Sequence, residues 1–189
     1  MKGWMRMMLA AVLVLFLAVP AGAASAATQV ESFLTVAADG SCQVTTTVTL
    51  RLEQASGDLQ FPIPMGAANV TLNGSRAKTT AGGDRLYVDL SKAYGSVTGN
   101  ISFSLNYTLY GVTEENGEGV LELRLPLMSG FSFPVDAMNF SITLPGEIPG
   151  RPAFTSGYYQ SSIEKYLTFT QEGTTIKGST TQSLKDHET

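Results

Sequence analysis

Catalysis would need a nucleophile, a base or a set of metal ligands, and this sequence offers few of them. Histidine is the commonest acid-base residue in enzymes and occurs once, as His187 near the end of the chain. The single cysteine, Cys42, lies on the apolar side of an alternating segment, which is typical of a small buried hydrophobic residue. One histidine and one distant cysteine form no closed ligand set for zinc. The sequence therefore predicts no enzymatic activity, no metal and no cofactor.

Acidic side chains are the remaining chemical candidates. Glu114, Glu115 and Glu118 lie close together in a Gly-rich segment. Paired carboxylates can hydrolyse glycosidic bonds, and several converging oxygens can hold calcium. No segment has the spacing of a calcium loop, and acidic residues in Gly-rich turns are usually solvated. We interpret these three residues as parts of a turn.

One segment combines aromatic rings with small polar residues. Phe154, Tyr158, Tyr159 and Tyr166 stand among Ser, Gly and Gln in residues 150–166. Exposed rings of this kind can stack on sugars or anchor a protein partner. Large aromatic residues are more often buried, so the same rings can also close an open end of the fold. The structural role is the preferred interpretation, and ligand binding by these four residues is the alternative hypothesis.

Strands must position these residues, because apolar and polar side chains alternate in most of the chain. The clearest strand covers residues 42–53, and Asp39-Gly40 before it favours a tight hairpin with a strand at 30–37. Residues 101–110 and 121–127 alternate on either side of the polar turn 114–119, which predicts a second hairpin. Further strands are predicted at 59–63, 69–72, 86–90, 138–144, 166–170 and 174–178.

No stretch after the N-terminal segment has apolar residues at helical spacing over helical length. About ten short strands separated by turns indicate an all-β protein with little helix. The predicted fold is a two-layer antiparallel β-sandwich, immunoglobulin-like in general architecture, with one core.

The N-terminus has the three parts of a secretory signal peptide. Lys2 and Arg6 precede an apolar stretch, and small residues follow it. Both Ala21-Gly22-Ala23 and Ala24-Ser25-Ala26 fit the small-x-small rule of signal peptidase, and we predict cleavage after Ala26. An uncleaved membrane anchor is the alternative. Residues 1–26 are then the signal peptide, and residues 27–189 are a single exported ectodomain.

The charge of the chain excludes several partners. The chain has 12 Lys and Arg residues and 16 Asp and Glu residues. Loss of Lys2 and Arg6 leaves ten basic residues, which form no cluster in the sequence. Nucleic acid and anionic membrane surfaces both require clustered positive charge. No later apolar stretch reaches the roughly 20 residues that span a bilayer. We therefore expect attachment to a membrane only through a longer parent chain.

The order of these features resembles the N-terminal extracytoplasmic domain of the YciQ-like predicted bacterial membrane proteins, a family of unknown function. The resemblance is carried by Leu34-Thr35-Val36, Asp39-Gly40-Ser41, the segment Leu105 to Gly111, Leu121 to Leu125, and the strand ending at Leu144-Pro145. It implies that the chain is truncated from a longer, membrane-anchored parent at the bacterial cell surface. It implies no activity.

Two functions are predicted from these observations. The first is a non-catalytic extracytoplasmic interaction or assembly domain of a membrane protein, with a protein or glycan at the cell surface as its partner. The alternative is a secreted carbohydrate-binding or adhesin-like module that uses the aromatic segment 150–166.

Overall fold

The computed structural model describes residues 24–115, 121–148, 150, 152–157 and 166–189. The signal-peptide prediction lies mostly outside these residues, as do Glu118, Tyr158 and Tyr159. Within the described residues there are thirteen strands and one short helix. They are β1 Ala26–Val36, β2 Cys42–Leu52, β3 Gln60–Pro64, β4 Ala68–Leu72, β5 Ser75–Arg76, β6 Thr79–Gly82, β7 Arg85–Asp89, α1 Ser91–Tyr94, β8 Gly99–Leu109, β9 Thr113–Glu115, β10 Leu121–Leu123, β11 Met138–Thr143, β12 Leu167–Glu172 and β13 Thr175–Thr180.

One layer of the fold is an eight-stranded sheet in the order β12-β13-β11-β1-β2-β8-β4-β5. Its neighbouring strands are antiparallel except for β1 and β11, which pair in parallel with Leu34 opposite Ile142. The other layer contains the three-stranded antiparallel sheet β3-β7-β6. The ring centroids of Phe61 on β3 and Phe103 on β8 lie 5.9 Å apart, and this edge-to-face contact joins the two layers. The predicted all-β, sandwich-like fold with little helix is confirmed.

The hairpin between β1 and β2 forms where the sequence predicted it. Gly40 adopts a φ of 77°, a conformation that glycine reaches at little cost. The Asp39 carboxylate accepts hydrogen bonds from the Ser41 backbone N–H at 2.9 Å and from the Ser41 hydroxyl at 2.7 Å. These bonds hold the turn, and they lower the pKa of Asp39.

Alternating residues of the long strands face the core between the layers. Burying each large apolar side chain contributes about 1.5 to 3 kcal/mol, so this face stabilises the fold without a disulfide. Two buried hydroxyl groups interrupt the apolar face, and Ser32 Oγ and Thr46 Oγ1 lie 3.2 Å apart and bond to each other. The largest side chains with almost no exposure are Phe103, Phe131, Leu34, Leu50, Leu52, Leu59, Ile63, Leu90, Leu105 and Leu184.

The prediction that residues 101–110 and 121–127 form a hairpin is wrong, because these two segments do not pair. β10 pairs with the short strand β9, with Leu121 opposite Glu115, and not with β8. Gly111 has a φ of 64° directly after β8, which turns the chain away from the large sheet. The next residue, Val112, is buried and its N–H donates to Gly40 O at 3.3 Å. The strand also ends at Leu123 instead of Leu127.

α1 was not predicted. It is a single turn that follows β7, and Asp89 Oδ1 accepts a hydrogen bond from Ser91 N at 3.0 Å at its start. None of the helices among the described residues combines the length and the apolar character that a membrane span requires.

Candidate binding surfaces

Cys42 and His187, the two residues considered for catalysis, lie in different environments. Cys42 has no exposed surface, and burial raises the pKa of its thiol to about 11, so the thiol is protonated near neutral pH. His187 is exposed in the C-terminal turn and has a φ of 64°. Across the part of the chain that the structure describes, no three His, Cys, Asp or Glu residues are grouped to hold a metal ion.

The interpretation of Glu114 and Glu115 as turn residues is wrong, because both lie in β9, and Glu114 forms an ion pair at the surface. Glu114 Oε2 lies 4.0 Å from Arg124 Nη1, and Glu122 Oε2 lies 3.1 Å from Arg124 Nη2. All three side chains are well exposed, and hydrogen bonding to Glu122 is the main cause that raises the pKa of Arg124. Exposed pairs of this kind contribute little to stability because water and salt screen them. These ion pairs lie at the surface beside the antiparallel pair β9–β10.

The aromatic segment is only partly described. Phe154 is half-buried, and its ring centroid lies 5.1 Å from that of Phe140 and 4.8 Å from that of Phe169. Tyr166 is half-buried, and its backbone N–H donates to Ser156 Oγ at 3.2 Å. Phe154 therefore has contacts that suit the structural role. Ligand binding by Tyr158 and Tyr159 stays a prediction.

A cavity of about 730 Å³ lies beside Phe154, between the inward face of β11, β12 and β13 and the segments that cover it. Its walls are mainly aliphatic, and Arg124, Thr155 and Thr189 contribute polar groups. The apolar lining includes Leu123, Leu125, Leu127, Met128, Met138, Ile142, Leu144, Ile148, Leu167, Ile176 and Leu184. Leu125 and Leu127, which were predicted to lie in a strand, instead pack over this end of the core.

The opposite face of the eight-stranded sheet carries hydrogen-bonding side chains in rows across the strands. One row runs over seven strands and is formed by Thr71, Asn106, Thr45, Phe33, Ser141, Lys177 and Thr170. The next row is formed by Ser104, Thr47, Glu31, Asn139, Ser179 and Thr168. We call these two rows the polar face.

Phe33 is the large apolar side chain of the polar face and is 52% exposed. It stands beside a shallow groove of about 490 Å³ that is also lined by Glu31, Lys177 and Thr170. Within the row, Thr45 Oγ1 donates to Asn106 Oδ1 at 2.7 Å. The groove therefore offers three phenylalanine rings, of which Phe33 is the exposed one, together with one cation, one anion and several hydroxyl groups.

Sequence reasoning did not identify this face, although the signal was present. Phe33 sits on the polar side of its strand, where the alternation places Glu31 and Thr35. A large ring at a position that the pattern assigns to solvent marks a candidate contact residue. The cross-strand rows themselves depend on register, which the pattern within one strand does not contain.

Comparison with solved structures returns larger proteins of low similarity. Native yeast LTA4 hydrolase is 12% identical with a TM-score of 0.48, and the alignment covers 83% of this chain and 27% of that chain. An M1 zinc metallopeptidase from Deinococcus radiodurans is 14% identical with a TM-score of 0.42, and the alignment covers 83% of this chain and 38% of that chain. This chain thus spans well under half the length of either structure. No curated protein matches the chain.

The fold and its surfaces define an all-β, sandwich-like domain. The family model described as "Predicted membrane protein (DUF2207) N-terminal domain" matches residues 27–188. The chain belongs to this family, in agreement with the resemblance seen in its sequence.

Proposed function

We propose that this domain is a non-catalytic interaction or assembly domain of an exported membrane protein, and that it binds a protein partner through the polar face around Phe33. The observation that carries the proposal is the position of Phe33, half-exposed in a row of hydrogen-bonding side chains that crosses seven strands. Membership of a predicted membrane protein family supports a place next to a membrane.

The composition of the polar face suits protein recognition. Binding energy at protein interfaces is concentrated in a few central residues, often aromatic, surrounded by a polar rim that excludes water. Phe33 supplies the ring, and Glu31, Lys177 and the hydroxyl groups supply the rim. Because the strands fix the backbone beneath these side chains, binding orders side chains but no loop, which limits the loss of conformational entropy.

The ring of Phe33 is also available for binding, because it lies outside the hydrophobic core. Its neighbour Leu34 points to the core and is 1% exposed, whereas Phe33 points away from the core. The carbohydrate-binding alternative through segment 150–166 has less support at Phe154, because that ring already packs against two others.

Site-specific photo-crosslinking in cells that express the complete protein tests the proposal. A crosslinking residue is placed at Thr170, which is exposed on the polar face, or at Thr80, which is exposed on β6 of the other sheet. We expect a protein product at Thr170 that disappears with Phe33→Ala and is absent at Thr80. Equal products at both positions, or a product at Thr170 that Phe33→Ala leaves unchanged, would contradict the proposal.

A glycan array with the purified protein and its Phe33→Ala variant separates the two functions. Glycan binding that depends on Phe33, without any protein crosslink, would replace the protein partner by a carbohydrate. Melting temperatures of both proteins serve as the control, and we expect them to agree because Phe33 lies outside the core.

A further inference from the structure

The folded domain begins earlier than the signal-peptide prediction allows. Cleavage after Ala26 would place Ala24, Ser25 and Ala26 in the discarded peptide, but these residues belong to the fold. Ala24 O accepts a hydrogen bond from Arg51 Nη2 at 3.2 Å, and Ser25 Oγ accepts one from Glu53 N at 3.0 Å. These bonds join Ala24 and Ser25 to Arg51 at the end of β2 and to Glu53 just after it.

Ala26 and Ala27 are also part of the core. They are 3% and 0% exposed, and they stand opposite Arg51 and Leu50 in the β1–β2 ladder. Ala27 N donates to Pro134 O at 2.9 Å, and Ala27 O accepts from Asp136 N at 2.8 Å. The first residues of β1 thus connect two distant segments of the domain.

Cleavage after Ala26 would remove the hydrogen bonds made by Ala24 and Ser25, and it would change the bond that Ala27 N donates. The backbone N–H of Ala27 would become a terminal ammonium group with three donors, and the structure offers it the acceptor Pro134 O. This group would stand among Leu50 and Val135, which are buried apolar residues. Placing a charged group with unmet hydrogen bonds in such surroundings is costly.

We propose that signal peptidase cleaves after Ala23, so that the mature protein begins at Ala24. Ala21 and Ala23 then supply the two small residues that the peptidase recognises. The peptidase adds water across the peptide bond between Ala23 and Ala24, which leaves a carboxylate on Ala23 and an amino group on Ala24. The full length of β1 and the two bonds to β2 are retained. This inference concerns processing and is independent of the partner that the polar face binds.

The N-terminus of the exported protein tests the proposal directly. The complete reading frame is expressed in a bacterial host, the exported protein is purified, and its N-terminal peptide is identified by mass spectrometry. A mature chain that starts at Ala24 is the expected result. A start at Ala27, or an intact signal segment, would overturn the proposal.

Two matched variants locate the cleaved bond independently of folding. Ala23→Glu disrupts the motif that ends at Ala23, whereas Ala24→Glu disrupts the motif that ends at Ala26. Ala24 is exposed, so a glutamate fits there without disturbing the core. We expect Ala23→Glu to abolish processing at the native site and Ala24→Glu to leave it unchanged. The reverse result would show that the second motif is the one used.

Discussion

The ring of Phe140 on β11 packs over the backbone of Gly178, its partner on β13. A Cβ atom at Gly178 would clash with that ring and would lie 2.6 Å from the carbonyl oxygen of Thr168. Phe169 pairs with the same glycine from β12, and Phe154 contacts both phenylalanine rings. The glycine thus provides the space in which three aromatic rings assemble at one end of the sheet.

Gly178→Ala should destabilise the domain. The added methyl group overfills a packed site, and changes of this kind typically cost about 1 to 3 kcal/mol. Gly146→Ala is the matched control, because nothing lies within 4 Å of a Cβ atom at Gly146. The free energy of unfolding, measured by urea titration, should fall for Gly178→Ala and stay close to wild type for Gly146→Ala. Equal stability of the two variants would show that the ring does not pack over Gly178.

Leu105→Asp should unfold the domain. Leu105 has no exposed surface and stands between Thr46 and Leu72 in the sheet, so an aspartate there would be buried without a charged partner. The penalty is comparable to the roughly 5 to 15 kcal/mol that stabilises a domain. Leu105→Ala is milder and should cost about 2 to 5 kcal/mol.

Ser102→Asp is the control for this position, because it makes the same change on the exposed side of the same strand. Circular dichroism and thermal melting should show a folded Ser102→Asp protein and an unfolded Leu105→Asp protein. A cooperative transition of Leu105→Asp at the wild-type temperature would refute the assignment of the inward face.

Alkaline pH should weaken the domain through Cys42. The pKa of its thiol is raised to about 11 in the folded state, mainly by burial, whereas an unperturbed thiol ionises near pH ~8.5. The contribution of the buried neutral thiol is complete below the unfolded pKa and is lost as the pH rises toward the folded pKa. Burial raises the pKa of Tyr107 as well, which acts in the same direction at still higher pH.

Urea midpoints at pH 7 and pH 10 test this linkage. The wild-type midpoint should fall further between the two pH values than the midpoint of Cys42→Ala, which has no thiol to ionise. At pH 8 the native protein should also resist alkylation by iodoacetamide, and the urea-unfolded protein should react. Rapid alkylation of the native protein would contradict the buried position of Cys42.

Phe154→Ala should lower stability, because the ring packs on Phe140 and Phe169 at one end of the sheet. Since Phe154 is only half-buried, we expect a loss of about 1 to 3 kcal/mol, less than for a fully buried phenylalanine. Phe33→Ala is the matched comparison and should cost less than ~1 kcal/mol, as is usual for exposed positions. Urea titration of both variants measures the difference. A Phe154→Ala protein as stable as Phe33→Ala would favour a role of Phe154 in binding.

Alternation along the chain was sufficient to predict the long strands. Cys42–Leu52 and Gly99–Leu109 each present a continuous apolar face, and the structure places both faces in the core. The Asp39-Gly40 turn was also predictable, because its hydrogen bonds are local and its positive φ favours glycine.

Pairing between distant segments could not be predicted from the same pattern. The parallel pairing of Val30 with Met138 depends on the whole intervening chain, and alternation is equally compatible with other neighbours. For the same reason, alternation in residues 121–127 does not identify β9 as their partner strand. The packing of Phe154 onto Phe140 and Phe169 depends on this register, so its burial could not be read from the segment alone.

The parallel pair of β1 and β11 has a consequence for the order in which the domain assembles. The ribosome makes β1 and β2 first, and their hairpin can form early because its contacts are local. The other edge of β1 stays open until Met138–Thr143 has been made. An unpaired strand edge is a template for aggregation, so the nascent chain is exposed to misassembly through most of its synthesis. The parallel pair thus leaves one edge of β1 without its partner strand until most of the domain has been made.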